Sequence, residues 1–166
     1  VKSFKEMFEE IKKENVIIYC DMDGVIADFV KFANKKSGGK FSDKQWDKLP
    51  SNTYELLDPM PDAKKLWSYI SKYDVRILTA YPSAKRGEIS KAASSDKINW
   101  MKRVFNFPKN KIHTVLRIQK QDYAKKNAIL IDDDMRNIKE FDARGGTAIH
   151  HKSANETIKK LKGIGL

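Results

Sequence analysis

Five short apolar runs stand out along this chain: Val16-Ile-Ile-Tyr-Cys20, Val75-Arg-Ile-Leu78, Lys111-Ile-His-Thr-Val-Leu116, Ala128-Ile-Leu-Ile131 and Thr147-Ala-Ile149. Each is too short for a helix and is flanked by polar or turn-forming residues, so each predicts a strand. Between them, apolar positions recur at helical spacing over residues 62–72, 96–105, 135–143 and 155–162. Asp62 is placed to cap the first of these helices, and Ser153 or Asn155 the last. Regular alternation of strand and helix predicts an α/β fold with a doubly wound parallel sheet.

Three segments depart from the alternation. In the first 15 residues, Phe4, Met7, Phe8 and Ile11 share one helical face among charged neighbours. This predicts an amphipathic helix docked on the core and speaks against a secretory signal. Residues 34–61 hold Gly38-Gly39, Pro50, Pro59, Pro61 and several aromatics, where a plain crossover needs only one helix. They predict a small cap inserted over the C-terminal edge of the sheet, leaving residues 1–33 and 62–166 as the core domain. Residues 81–95 are rich in Ser, Ala and Lys and predict a flexible loop at the mouth of a site.

Composition narrows the picture. A chain of 166 residues suits one compact domain, and 40% hydrophobic residues suit a globular one. No apolar run approaches the roughly 20 residues of a membrane span. Cys20 is the only cysteine, which excludes an intrachain disulfide or zinc cluster and fits a reducing, cytoplasmic setting. The net charge, 33 − 22 = +11, points to an anionic substrate or partner such as a nucleotide or nucleic acid, or else to a well-solvated surface.

Candidate chemistry gathers where the predicted strands end. Asp21-Met-Asp-Gly-Val25 follows the first strand, Thr79 the second, and Asp132-Asp-Asp134 the fourth. Parallel strands bring these to one sheet edge, the usual place for a site in an open α/β fold. An EF-hand start is excluded, because Val25 and Ile26 stand where that loop needs an oxygen ligand and a glycine. Several carboxylates at one edge repel, and a divalent cation resolves the repulsion; oxygen-only donors favour Mg²⁺. Thr79 can donate a hydroxyl hydrogen bond, and Lys120 can supply a point charge, with Arg117, Lys125 and Lys126 as nearby alternatives. Together they would hold a phosphoryl group, whose transfer depends on positioning and charge stabilisation. Phe29, Phe41, Trp46 and Tyr54 could stack on a base or form a small core of their own. Trp67 and Trp100 read as core, and His113, His150 and His151 take no chemistry.

The motif order resembles the haloacid dehalogenase superfamily of phosphohydrolases: Asp21-Met-Asp-Gly-Val25, Leu78-Thr79-Ala80, Lys120, then Ile131-Asp132-Asp133. A response-regulator receiver uses similar residues but puts its acidic pair first, whereas here the pair comes last. Within the superfamily, the chain is similar to the 5'(3')-deoxyribonucleotidase branch through Asp21-Met-Asp-Gly-Val-Ile-Ala-Asp-Phe29, the Lys97-Ile-Asn-Trp100 helix, and 128–134 followed by Asn137, Gly145 and Gly146. Two departures touch substrate contacts: Asp134 stands where that branch often has Arg, and Ala80 where some relatives have Ser.

The resemblance implies a Rossmannoid three-layer fold with a mainly helical cap, and a two-step phosphatase. Asp21 would be the nucleophile and Asp23 the general acid and base. Mg²⁺ would be held by the Asp21 carboxylate, the Asp23 carbonyl and Asp132, with Asp133 holding a metal-bound water or orienting Lys120. Thr79, the Ala80 backbone N–H and Lys120 would bind the phosphoryl oxygens, and Phe29 would line the substrate pocket. A nucleoside monophosphate is the substrate this implies. A phosphorylated nucleic-acid end, which would use the +11 charge, and a non-catalytic nucleic-acid-binding scaffold are the alternatives.

Overall fold

The computed structural model describes residues 1, 3, 6 and 15–166. The amphipathic helix expected from Phe4, Met7, Phe8 and Ile11 lies outside the described residues.

Five strands form one sheet: β1 (Ile17–Cys20), β2 (Asp74–Ala80), β3 (Ile112–Val115), β4 (Ala128–Asp132) and β5 (Thr147–His150). All pairings are parallel and the order is β3-β2-β1-β4-β5. The chain steps from β1 out to β2 and β3, then crosses back to β4 on the other side of β1. The change of direction falls between β1 and β4, where an open α/β sheet has its ligand crevice. The α/β class and the parallel sheet are as expected from the alternation.

Period-two alternation divides the strands between two layers. Ile18, Cys20, Ile77, Ile129 and Ile131 face one core, shared with α2 (Ala63–Ile70), α3 (Glu88–Phe105) and α5 (Ala154–Gly163). Tyr19, Leu78 and Leu130 face the other, closed by Phe141 of α4 (Met135–Ala143) and by the 3₁₀ segment Arg117–Tyr123. Trp100 is fully buried and its indole donates to the Leu57 carbonyl at 2.8 Å; Trp67 is half-buried against the same core.

Two local expectations need correction. Residues 81–95 are not one flexible loop, because α3 already begins at Glu88. Ala and Lys favour helix, and Ile89, Ala93, Lys97, Trp100 and Met101 continue one buried stripe. Ser90 fastens the first turn by donating to the Pro82 carbonyl at 2.8 Å. Asp62 stands at the N-cap position of α2, but its side chain makes no capping hydrogen bond there, and the Ala63 N–H is taken by the Met60 carbonyl. Its carboxylate instead accepts from Ala154 N–H at 2.7 Å, at the start of α5, beside the true cap Ser153.

Between β1 and α2 the chain forms α1 (Phe29–Ser37), which crosses the expected boundary at residue 34, and the 3₁₀ turns Asp43–Lys48 and Thr53–Leu56. The segment's two ends are tied together: Asp28 N–H donates to Asp58 and Met60 N–H to Ile26, both at 2.8 Å. Inside it, the Phe29 ring centroid lies 5.7 Å from those of Phe41 and Trp46 and 5.8 Å from that of Tyr54. These four aromatics pack on one another. No helix among the described residues is long and apolar enough to cross a membrane.

Candidate active site

The loop leaving β1 curls around one buried carbonyl. The N–H groups of Val25, Ile26 and Ala27 all reach the Met22 oxygen, at 3.1, 2.9 and 2.9 Å. Met22 itself is buried, so its neighbours Asp21 and Asp23 are carried to the crevice side. Gly24 completes the turn at φ +81°, and a Cβ there would collide with the Asp133 carboxylate. Gly24→Ala should therefore cost about 1–3 kcal/mol and push Asp133 aside, read as a lower melting temperature.

Asp21, Asp132 and Lys120 meet at the direction change of the sheet. Asp21 N–H extends the ladder by donating to the Ile131 carbonyl at 2.9 Å, which sets Asp21 beside Asp132. The 3₁₀ segment delivers Lys120 between them: its Nζ lies 2.9 Å from Asp21 Oδ1 and 2.7 Å from Asp132 Oδ2. Burial alone would lower the Lys120 pKa, but these two carboxylates hold the ammonium well above its usual range. Asn137 adds an N–H to Asp132 Oδ2 at 3.0 Å, and the Asp134 N–H reaches Oδ1 at 2.9 Å. The other cations are elsewhere: Arg117 pairs with Asn137 and Glu140, while Lys125 and Lys126 are exposed.

A second cation completes the crevice, and sequence reasoning did not assign it a role. Lys97 of α3 is fully buried. Its Nζ lies 2.7 Å from Asp23 Oδ2 and 2.7 Å from Thr79 Oγ1, and 4.4 Å from the Tyr54 ring centroid. The signal was its position on the buried stripe of an amphipathic helix, where a lysine requires a buried partner. Starting that helix at residue 96 hid the stripe. Burial raises the Asp23 carboxyl pKa, with Lys97 opposing, and Asp23 Oδ1 is buried without a hydrogen-bond partner.

The remaining predicted residues lie around these two groups. Thr79 and half-buried Ala80 end β2. Phe29 is half-buried in the aromatic cluster and reaches Lys97 through Tyr54. Asp133 stands at the exposed mouth, and the bond to Lys120 is made by Asp132 rather than by Asp133. Asp134 accepts from the Arg136 N–H as the cap of α4. His150 meets the Asp133 carbonyl at 3.0 Å, and His151 is buried on Thr157 at 2.7 Å.

The donor set suits a hard divalent cation. Asp21, Asp132 and Asp133 each offer a carboxylate oxygen, and these oxygens lie within 4.8 Å of one another. With one ammonium against three carboxylates, two negative charges remain when all are ionised, and oxygen donors alone match Mg²⁺. Burial, then Asp21, push Asp132 up to about 6. Crowding by protein, then Asp21 and Asp132, push Asp133 up to about 7.

No protein-family model matches the chain. No curated protein matches it in sequence. Solved structures of similar fold include a D,D-heptose 1,7-bisphosphate phosphatase from Burkholderia thailandensis, at 13% identity and TM-score 0.47 over 87% of this chain and 84% of that one. A hydrolase from Streptococcus pneumoniae has 11% identity and TM-score 0.48 over 90% and 99%. A haloacid dehalogenase-like family hydrolase from the same organism has 12% and 0.42 over 81% and 83%. The likeness is one of fold, and the chemistry of the site rests on this chain's own residues.

Metal binding must displace protons from the raised carboxyls. A raised carboxyl pKa means that the metal-free fold loses stability as pH rises through that pKa, when the charges appear and repel. Both effects would make Mg²⁺ held by these carboxylates more stabilising at higher pH. If these carboxylates hold Mg²⁺, the melting-temperature difference between Mg²⁺ and EDTA should be small at pH 5 and grow as pH rises through about 6 to 7; a flat difference would remove Asp132 and Asp133 from the candidate metal site.

Proposed function

We propose that this protein is a Mg²⁺-dependent phosphatase that hydrolyses a phosphomonoester through an aspartyl-phosphate on Asp21, with a nucleoside monophosphate as substrate. The observation that carries the reading is the buried Asp21–Lys120–Asp132 arrangement at the direction change of a parallel sheet. It supplies a carboxylate nucleophile beside a fixed positive charge.

Lys120 spends two of its three N–H donors on Asp21 and Asp132, and the third serves a phosphoryl oxygen. Thr79 accepts from Lys97, so its own hydroxyl hydrogen is free to donate to another phosphoryl oxygen, and the Ala80 N–H to a third. Asp21 attacks phosphorus and the bond to the leaving oxygen breaks; Asp23 protonates that oxygen. Asp23 then takes a proton from the water that hydrolyses the aspartyl-phosphate. Asp21, Asp132 and Asp133, with the Asp23 carbonyl, would hold the Mg²⁺, which supplies charge neutralisation for the incoming phosphoryl dianion. Residues 34–61, with Phe29, act as the cap that closes over the substrate.

The test is phosphate release from deoxy- and ribonucleoside 5'- and 3'-monophosphates and from a phosphorylated oligonucleotide, with Mg²⁺ and with EDTA. Mg²⁺-dependent release from mononucleotides is expected. Release from the oligonucleotide alone would move the function to nucleic-acid ends, and silence across the panel would overturn the nucleotidase reading.

A further inference from the structure

The segment inserted between β1 and α2 is fastened unequally at its two sides. Its inner side is fixed to α3: Trp100 donates from its indole to the Leu57 carbonyl and Arg103 to the Glu55 carbonyl, both at 2.8 Å, and Lys97 Nζ lies 4.4 Å from the Tyr54 ring centroid. The outer side, residues 38–52, is joined differently. Leu49 adds buried apolar packing, but among the described residues Arg86 makes the only hydrogen bond or ion pair from this stretch to the core.

Arg86 meets the turn Asp43–Lys48 in three ways. Its Nη1 donates to the Asp43 carbonyl at 3.2 Å, its Nη2 lies 3.6 Å from Asp43 Oδ1, and its guanidinium carbon lies 4.9 Å from the Trp46 ring centroid. The ion pair is the weakest of these, because the Asp43 side chain is 88% exposed and water screens such a pair. The Arg86 side chain is only 18% exposed, which favours its carbonyl bond and its ring face. Around the contact the cleft is open, lined by Lys44 and Asp47 from the turn and by Lys85 and Gly87 from the core. The post that carries Arg86 is firm: Gly87, at φ +63°, closes the 3₁₀ turn Ala84–Arg86, and Ser90 ties α3 back to Pro82.

From Trp46 the contact runs inward. The Phe29 ring centroid lies 5.7 Å from that of Trp46 and 5.8 Å from that of Tyr54. Phe29 is thus held on one side by a ring fixed to α3 and on the other by a ring that Arg86 holds. We propose that Arg86 is a positioning residue that latches the outer side of the inserted segment to the core, through the Asp43 carbonyl and the Trp46 ring, and so sets the pocket wall carried by Phe29. The proposal rests on the phosphatase reading above, in which Phe29 lines the substrate pocket. Arg86 then governs binding of the part of the substrate beyond the phosphate and leaves phosphoryl transfer itself alone.

The experiment measures amide hydrogen exchange and kinetics on wild type, Arg86→Met, Arg86→Lys and Asp43→Asn. The Phe41, Gln45 and Leu49 amides are all bonded within the inserted segment. In Arg86→Met they should exchange about tenfold faster, while the Glu55 and Met60 amides of the inner side keep their rates. KM for the nucleoside 5'-monophosphate turned over best should rise by about fivefold with kcat within about twofold. The inhibition constant of inorganic phosphate should stay unchanged, since phosphate offers the wall nothing to hold. Arg86→Lys, which keeps the charge but not the planar fork, should fall between wild type and Arg86→Met. Asp43→Asn keeps the carbonyl and the ring, so it should stay near wild type in both readouts. Unchanged exchange in Arg86→Met, equal weakening of nucleotide and inorganic phosphate, or an Asp43→Asn protein as loose as Arg86→Met would overturn the latch. Wild-type protein inactive on every ester would overturn the phosphatase reading and the pocket-wall role with it; the exchange rates, which need no turnover, would still decide whether Arg86 holds the segment.

Discussion

Asp21→Asn should lower kcat by at least about 10⁴-fold and leave the protein folded. The amide is a poor nucleophile, and the two nearest buried or half-buried carboxylates are already engaged: Asp132 is pinned by Lys120, Asn137 and the Asp134 N–H, and Asp23 is held by Lys97. The fold should survive because the change has two opposed effects. It removes one of the two carboxylates that pair with buried Lys120, but it also removes the charge that pushes Asp132 and Asp133 upward. Steady-state kinetics and a thermal melt on the same sample read both. Substantial turnover in a folded variant would mean that Asp21 is not the attacking group.

Lys120→Met should be damaging in a different way. Methionine fills a similar volume but leaves Asp21 and Asp132 facing each other in a buried site with no cation between them. Breaking a buried pair by removing one partner costs about 3–5 kcal/mol. At roughly 2–4 °C per kcal/mol for a domain of this size, the melting temperature should drop by about 6–20 °C in EDTA. Mg²⁺ should restore part of that loss, because a divalent cation answers the same repulsion, while activity stays low for want of the phosphoryl contact. Lys125→Met is the control: that side chain is exposed, so stability should change by less than about 0.5 kcal/mol. A stable Lys120→Met protein with normal activity, beside an inactive Lys125→Met, would reassign the cation.

Legibility in the sequence followed how local the determining physics is. The strands were readable because each is a short apolar run, four of the five with an acid, threonine or glycine at one end, and their alternation with helices sufficed for a parallel sheet. The gathering of Asp21, Thr79 and Asp132 at one edge followed from strand direction alone. Lys97 was not readable as part of the crevice, because its partners Asp23 and Thr79 lie 74 and 18 residues away in sequence. The start of α3 was missed because its first turns are rich in Ser, Ala and Lys, and only burial of Ile89 and Ala93 against the core distinguishes them from a loop. Asp62 holds the expected N-cap position, but its carboxylate bonds the start of a helix 92 residues later, a choice no local pattern encodes. The aromatics of residues 29–54 were ambiguous because stacking on a ligand and stacking on one another demand the same residues.

The most direct test of the central claim is to trap the covalent intermediate. Asp23→Asn protein turning over p-nitrophenyl phosphate with Mg²⁺ should form the aspartyl-phosphate, since this leaving group needs no acid, and then stall for want of a base. Rapid acid quench and peptide mass analysis should find phosphate on the peptide that contains Asp21, and none when Asp21 is also replaced by Asn. Release of p-nitrophenol with no phosphorylated peptide, or phosphate on any other residue, would contradict the account.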